Sequence, residues 1–436
     1  MTAISPRYKW YVVAMLWWMA FFNYADRQAI YSVFPLLEKE FHLSAVQLGM
    51  LGSSFAIVYG VAAPFIGNIV DRVKRKTAIL AGLQTWSLIC MATAFSRNFG
   101  TLVAFRAAEG LGETAYFPAS MSLISDYHGK ATRSRAMGTH QTSVYVGVIA
   151  GGFLAGLIAK NLGWRAAFLI FGGCGTLLGL VLRRLLIEPK RGAADLADVA
   201  AGEVAHVHST ARMPVREFVR LILGRPTVLL LMGAFMCENF TAMVIFTWMP
   251  TFLYQKFHLD LAMAALTATL YIQVTSLLGS PLGGWMADTL RKRLPGGRIL
   301  VQALGIFFEG PLAVLCALTG NMAWLIGGLL FWGVFKGLYE ANIFASVFDV
   351  IRPEARGTAT GFMNMMGWLA GGGTAPVLVG WLSVRYGLSN AIAMAASAYW
   401  VAALLLVVAA LRFAPHDTER LRRELSAEAA ASSSMA

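Results

Sequence analysis

"GNIVDRVKRK", residues 67–76, closes a long apolar run, and "GWMADTLRKR", residues 284–293, closes another far along the chain. Each sets a Gly four positions before an Asp and follows it with a basic cluster. Two further pairs keep the same order at nearly the same offset. "GLGETAYFPAS" (110–120) matches "GLYEANIFAS" (337–346), and "RSRAMG" (133–138) matches "RGTATG" (356–361). Three motifs repeated in order mark a duplicated half. Duplicated helical bundles that rock about a midplane site are a signature of secondary transporters.

Composition places these halves in a bilayer. The 436 residues are 57% hydrophobic and 14% charged, with a mean hydropathy of +0.61, too apolar for a soluble domain. About twelve runs reach the length a bilayer core demands of a helix. They fall at 10–35, 46–69, 77–96, 101–125, 136–159, 164–187, 227–254, 262–287, 299–318, 322–348, 358–383 and 389–412. Helices are expected, because lipid offers backbone groups no partner. The first run is too long for a cleaved leader and carries Asp26 and Arg27. Cys90, Cys174, Cys237 and Cys316 lack metal-ligand spacing and read as small packing residues.

The net charge of +13 is topological. Lys and Arg gather in the termini and in alternate connections, which makes that side cytoplasmic and puts both termini there. Nucleic acid is not the expected partner. The hydrophilic stretch 188–226 divides the chain into a first six-helix bundle, 1–187, and a second, 227–415. Residues 416–436, ending "AEAAASSSMA", are expected to be a disordered cytoplasmic tail.

The paired Gly-x-x-x-Asp loops, with "LGWRAAF" (162–168) opening the sixth span, resemble the major facilitator superfamily over nearly the whole chain. "NYADR" (23–27), "GETAYFP" (112–118), "FTWMPTFL" (246–253) and "GFMNMMGWLAGGGTAPVLVG" (361–380) resemble its anion:cation symporters, which include bacterial galactonate and hexuronate transporters. "NYADR" and "GLGE" also look like the spinster-type lysolipid transporters. Lys336 and Glu340 depart from the symporter pattern. The resemblance implies an inner-membrane protein, a proton-coupled symporter of a sugar acid working as a monomer among membrane lipids. The alternative is a spinster-like transporter of an amphipathic lipid anion.

Charges within spans carry the site. One at the bilayer centre costs about 2.5–3.5 kcal/mol on the mildest scale, so such groups line a cavity, pair or bind a proton. Asp26 and Arg27, adjacent, point about 100° apart on a helix; Arg27 is expected to enter the cavity and Asp26 to reach a neighbouring helix. Arg106, Glu109, Gly110 and Glu113 share one stripe. Arg27 offers a planar fork to a carboxylate, and Glu113 can compete for it when ionised and release it when protonated. The resemblance gives Asp26 and Glu113 proton-coupling roles and Arg27 the anion. Around them Tyr31, Asn364, Asn239, Gln141 and Trp248 are candidate substrate contacts, and Arg106, Glu109, Glu238, Lys336 and Glu340 further candidates. Lys336 and Glu340, four apart, read as a self-neutralising pair; Glu309 and His140 read as structural.

Asp71, Arg72, Arg133 and Arg135 form a candidate cytoplasmic latch, with Asp288 and Arg291 as its second copy. No nucleotide-binding loop is visible, since "GLGE" follows no strand, and no nucleophile–base or metal set suggests an enzyme. Neither cofactor nor metal is expected.

Overall fold

The computed structural model describes residues 7–194, 220–352 and 355–434; residues 195–219 of the connecting stretch lie outside them. Among the described residues every regular element is a helix. The first half runs α1 (Tyr8–Ser32), α2 (Phe34–Phe41), α3 (Ala45–Arg72), α4 (Arg75–Thr93), α5 (Phe99–Glu113), α6 (Tyr116–Tyr127), α7 (Lys130–Leu162) and α8 (Trp164–Leu185). After the connection come α9 (Pro226–Lys256), α10 (Leu261–Arg291), α11 (Gly297–Leu318), α12 (Met322–Glu340), α13 (Ile343–Phe348) and α14 (Arg356–Met366). A π-helical turn (Gly367–Gly372) leads to α15 (Ala375–Tyr386), α16 (Leu388–Ala395) and α17 (Ser397–Val408). A second π turn (Ala409–Phe413) precedes α18 (Ala414–Ser434).

Local chemistry fixes several ends. Ser44 and Gln47 form a capping box at α3, as do Asn98 and Thr101 at α5. Asn321 accepts from the amides of Ala323 and Trp324 at α12. The joints before α8 and α16 are Gly163 and Gly387, at φ +85° and +78°, where a side chain would strain the backbone.

Eight of these helical stretches are long and apolar enough to cross a membrane, among them Ala45–Gly67, Pro226–Lys256 and Leu388–Ser426. The remaining four expected spans coincide with α1, α4, α5–α6 and α14–α15. Of these, α1 holds Asp26 and Arg27, α5 stops at Glu113 and a π turn interrupts the eleventh span, whereas α4 is one unbroken helix from Arg75 to Thr93. Trp18, Phe65, Leu177, Trp285, Phe331 and Leu404 are all exposed. Such a large apolar surface fits lipid and not water.

Contacts divide the chain into two compact units. One holds Met1–Val207 with Ile245–Leu270 and Gly373–Arg385; the other holds His208–Val244, Tyr271–Gly372 and Tyr386–Ala436. The first unit thus takes two segments that the sequence assigned to the second bundle. Small residues let them in: a Cβ on Gly156 would come 2.7 Å from Leu261 C, and one on Gly52 3.2 Å from Pro376 Cγ. Its core includes Val12, Leu16, Met19, Ile79, Leu83, Trp86 and Leu123. There α1 lies against α7, where a Cβ on Gly147 would come 2.7 Å from Phe21 O.

The tail differs from the disorder its composition suggested. From Ala414 it is helix, supported at i, i+4 by Arg420–Glu424 at 3.2 Å and Glu419–Arg423 at 3.1 Å. Arg225 anchors it from the start of α9, donating to Asp417 O at 2.7 Å and Glu424 Oε2 at 2.6 Å.

Candidate functional site

In the first unit α1 and α5 bring their charges together. Arg27 is ion-paired with Glu113, and its guanidinium lies 4.7 Å from the Tyr24 ring centroid, 5.0 Å from Phe55 and 4.9 Å from Tyr59. An aromatic box holds a cation that its carboxylate partner can leave. The break in α5 falls directly after Glu113, where the Thr114 hydroxyl donates to Gly110 O at 2.7 Å. Gly110 permits the approach of α3, since a Cβ there would lie 2.6 Å from Phe55 O.

Asp26 points about 100° away from Arg27, as adjacent helical residues do. It is fully buried, and neither carboxylate oxygen has a hydrogen-bond partner. Its neighbours are Cys90 of α4 and Glu109 of α5, with one ligand-type atom from each of the three within 4.8 Å of the others. A thiol and two carboxylates are a donor set a cation could use. The guanidinium of Arg106, wholly buried and ion-paired with Glu109, already supplies positive charge there. Arg106 also lies 4.9 Å from the Phe55 ring and 6.0 Å from that of Tyr31. Asn23 Nδ2, Glu109 Oε1, Glu113 Oε1 and Arg106 Nη2 are buried without a hydrogen-bond partner. So many unmet polar atoms in one place favour a site that takes up protons, water or a polar ligand.

The other candidates spread across both units. Tyr31 is buried against Phe34, and Gln141 is half-buried on α7. Trp248, expected to meet substrate, spends its indole N–H on Pro376 O at 3.0 Å and is 2% exposed. In the second unit Asn239 donates to Phe235 O at 2.9 Å, and Asn364 is exposed on α14. Lys336 and Glu340 are ion-paired within α12. Glu238 and Glu309 are buried, both in the field of Lys336. His140 is buried, its Nε2 2.9 Å from the Tyr116 hydroxyl.

On the latch, the side chain of Asp71 lies outside the described residues. Arg72 is exposed; Arg133 donates to His128 O at 3.0 Å and Ser125 O at 3.2 Å; Arg135 lies over the Trp10 ring. The second copy corrects the expected Asp288–Arg291 pairing. Asp288 pairs with Arg298 at 3.1 Å, while Arg291 pairs with Asp349 at 3.5 Å and Arg298 also reaches Asp349 at 3.1 Å. Arg298 opens α11 and so returns across the loop to Asp288, at the end of α10.

Sequence reasoning missed the counterpart in the first half. Arg75, 3% exposed, is ion-paired with Asp126 and lies 3.2 Å from Glu188. The available signal was the repeat itself: Asp126 and Asp349 end equivalent spans. Arg75 instead read as one more topological charge.

Comparison with known proteins identifies the family. The model of the Major Facilitator Superfamily matches residues 16–375, with a second match at 297–435. The chain is 26% identical over 388 residues to Protein spinster of Drosophila melanogaster, covering 86% of this chain and 62% of that protein's length. With the Hexuronate transporter of Bacillus subtilis (strain 168) it shares 25% over 416 residues, covering 92% of this chain and 94% of that one. A solved bacterial homolog of the human lysosomal transporter spinster, in an inward-facing and occupied conformation, superposes with a TM-score of 0.81. It is 20% identical and covers 94% of this chain and 98% of its own, a likeness of fold. The match across most of the helical chain makes it a member of the Major Facilitator Superfamily.

Proposed function

We propose that this multi-pass membrane protein is a proton-coupled symporter of a small organic anion, a hexuronate or aldonate, working by alternating access. Membership of a transporter superfamily sets the class, which is not an enzyme. One observation carries the finer reading: Arg27, held by Glu113 within an aromatic box, beside the buried Asp26. Protonating Glu113 would release Arg27 for a substrate carboxylate, and Asp26 would relay the proton. The similarity to the hexuronate transporter, which covers nearly all of both chains, supports a sugar acid. We place the protein in the inner membrane with both termini cytoplasmic, its six-helix halves 1–187 and 227–415 joined through 188–226. The Asp288–Arg298–Asp349–Arg291 chain and its Arg75–Asp126–Glu188 counterpart would act as cytoplasmic latches.

A second reading, transport of an amphipathic lipid anion, draws support from the rings around Arg27 and the similarity to spinster proteins. A thermal-shift panel separates the two: galacturonate, galactonate, galactose, a dicarboxylate and a lysolipid with the purified protein at acidic and neutral pH. A ligand at 100 times its Kd adds about 2.7 kcal/mol to stability. Stabilisation by a sugar acid but not by galactose, lost in Arg27→Gln, supports the symporter. A response to lysolipid alone replaces it with the second reading.

A further inference from the structure

Glu340 stands in the second half where Glu113 stands in the first, as the "GLGE" and "GLYE" repeats align. The backbone repeats as well. Glu113 ends α5 and Glu340 ends α12; each is followed by a two-residue break and a new helix, α6 or α13. The Gly of each motif lets a neighbouring helix approach: a Cβ on Gly337 would lie 2.6 Å from Ser280 N of α10, as one on Gly110 would meet α3. Both carboxylates face a cation, Arg27 from α1 in one case and Lys336 from its own helix in the other.

The second unit adds acids that the first reading leaves unused. Glu340 accepts from the Ser276 hydroxyl at 3.0 Å. Glu238 of α9 is 5% exposed, and Glu309 of α11 is fully buried. Glu309 Oε2 accepts from Trp332 Nε1 at 3.1 Å, whereas Glu309 Oε1 and the Tyr339 hydroxyl, both buried, have no hydrogen-bond partner. Glu238 and Glu309 lie in each other's field and in that of Lys336; Tyr339 faces Glu238, Glu309, Glu340 and Cys237, and Tyr399 of α17 faces Glu238 and Glu309. Three carboxyls thus share the field of one ammonium, with only Glu340 paired to it. Fully ionised, the group would carry two uncompensated negative charges. Glu309 has the one donor from Trp332 and Glu238 a long one from Asn239 Nδ2 at 3.4 Å; a buried carboxylate without its own cation is costly, and like charges sharing a site do not all ionise.

We infer that the second unit contains its own exchangeable proton site, in which Glu238 and Glu309, grouped around the Lys336–Glu340 pair, take up protons separately from Asp26 and Glu113. Glu309 Oε1 is an open position for such a proton, and the Tyr399 hydroxyl, which interacts with the Glu309 carboxyl, can share it. The inference shares with the proposed function only the use of protons and does not require Arg27 to bind an anion.

Infrared difference spectroscopy of the purified full chain, titrated from acidic to alkaline pH in H2O and D2O, tests it through the carboxylic-acid C=O band. The expected result is a band that persists at neutral pH, shifts in D2O, fades as pH rises and loses about one carboxyl's intensity in each of Glu238→Gln and Glu309→Gln. Glu113→Gln should leave that portion intact. A band unchanged in both variants, or a wild-type band that neither titrates nor shifts in D2O, overturns the proposal. If Glu309→Gln fails to fold, Glu238→Gln and the wild-type isotope shift still decide. Failure of the sugar-acid panel with this titration intact would remove the symport reading and leave this one standing.

Discussion

Glu424 accepts a hydrogen bond at 2.6 Å from Nη2 of Arg225, 199 positions earlier in the chain. The guanidinium is 1% exposed and also holds Asp417 O, so one side chain at the start of α9 fastens the tail helix. Arg225→Ala should lower stability by about 1–3 kcal/mol, below the figure for a fully buried pair because Glu424 is partly open to solvent. Thermal unfolding measures the loss, and limited proteolysis should then cut within 414–434. An uncut tail in the variant would show that the anchor is dispensable.

Glu113 should impose a pH dependence on anion binding. Galacturonate should bind the wild type more tightly in acid than at neutrality, and Glu113→Gln should bind it alike at both. Arg27→Lys keeps the charge but loses the planar fork, so its affinity should fall tenfold or more, about 1.4 kcal/mol. Calorimetry at two pH values reads both effects. Unchanged pH dependence in Glu113→Gln would remove the carboxyl from the coupling.

Asp260 gives a second, structural pH effect. Its Oδ1 accepts from the Met263 amide at 3.0 Å at the start of α10, and Oδ2 lies 3.2 Å from Lys160 Nζ. The amide first, then the ammonium, hold its carboxyl below the ordinary carboxylate range. A carboxyl depressed in the folded state stabilises above its unfolded pKa, about 3.9, and that stability fades as pH falls towards the folded value. Asp260→Asn keeps the cap and should cost little, because the exposed ion pair is worth little; it should flatten the acid limb of the stability curve. Asp260→Ala should cost about 0.5–2 kcal/mol near neutrality.

Trp248 distinguishes packing from recognition. Trp248→Phe retains a ring against Phe34 but leaves Pro376 O without its donor, so stability should fall by about 1–3 kcal/mol. The affinity for galacturonate should be unchanged. A large affinity loss at unchanged stability would return Trp248 to the substrate.

Gly110→Ala would set a Cβ 2.6 Å from the Phe55 carbonyl, and backbone cannot move aside as a side-chain tip can. Overpacking of this kind costs about 1–3 kcal/mol. Because Glu113 lies one turn along the same helix, ligand-induced stabilisation should fall together with the melting temperature.

Spans, duplication and intramembrane charges were legible in the sequence because each is a matter of composition or repeated order. The divergence of Asp26 and Arg27 by about 100° followed from helical geometry alone. Partners chosen between segments were not legible. Whether Asp288 meets Arg291 or Arg298 depends on how α11 returns from its loop, and Arg75 looked like its basic neighbours until Asp126 and Glu188 were beside it. The tail read as disordered because low-complexity Ala and Ser mask the Glu419–Arg423 spacing, and its anchor lies in another segment.

The charges of α5 bear on how the chain enters its membrane. Phe99–Tyr127 carries Arg106, Glu109 and Glu113 and is broken after the last of them. At about 2.5–3.5 kcal/mol for a central charge, this segment would partition poorly into lipid by itself. Its charges become tolerable once Arg27, Tyr31 and Phe55 are in place, and α1 and α3 leave the ribosome earlier. Chain order therefore suits biogenesis: the apolar walls are laid down first, and the segment that needs them arrives afterwards.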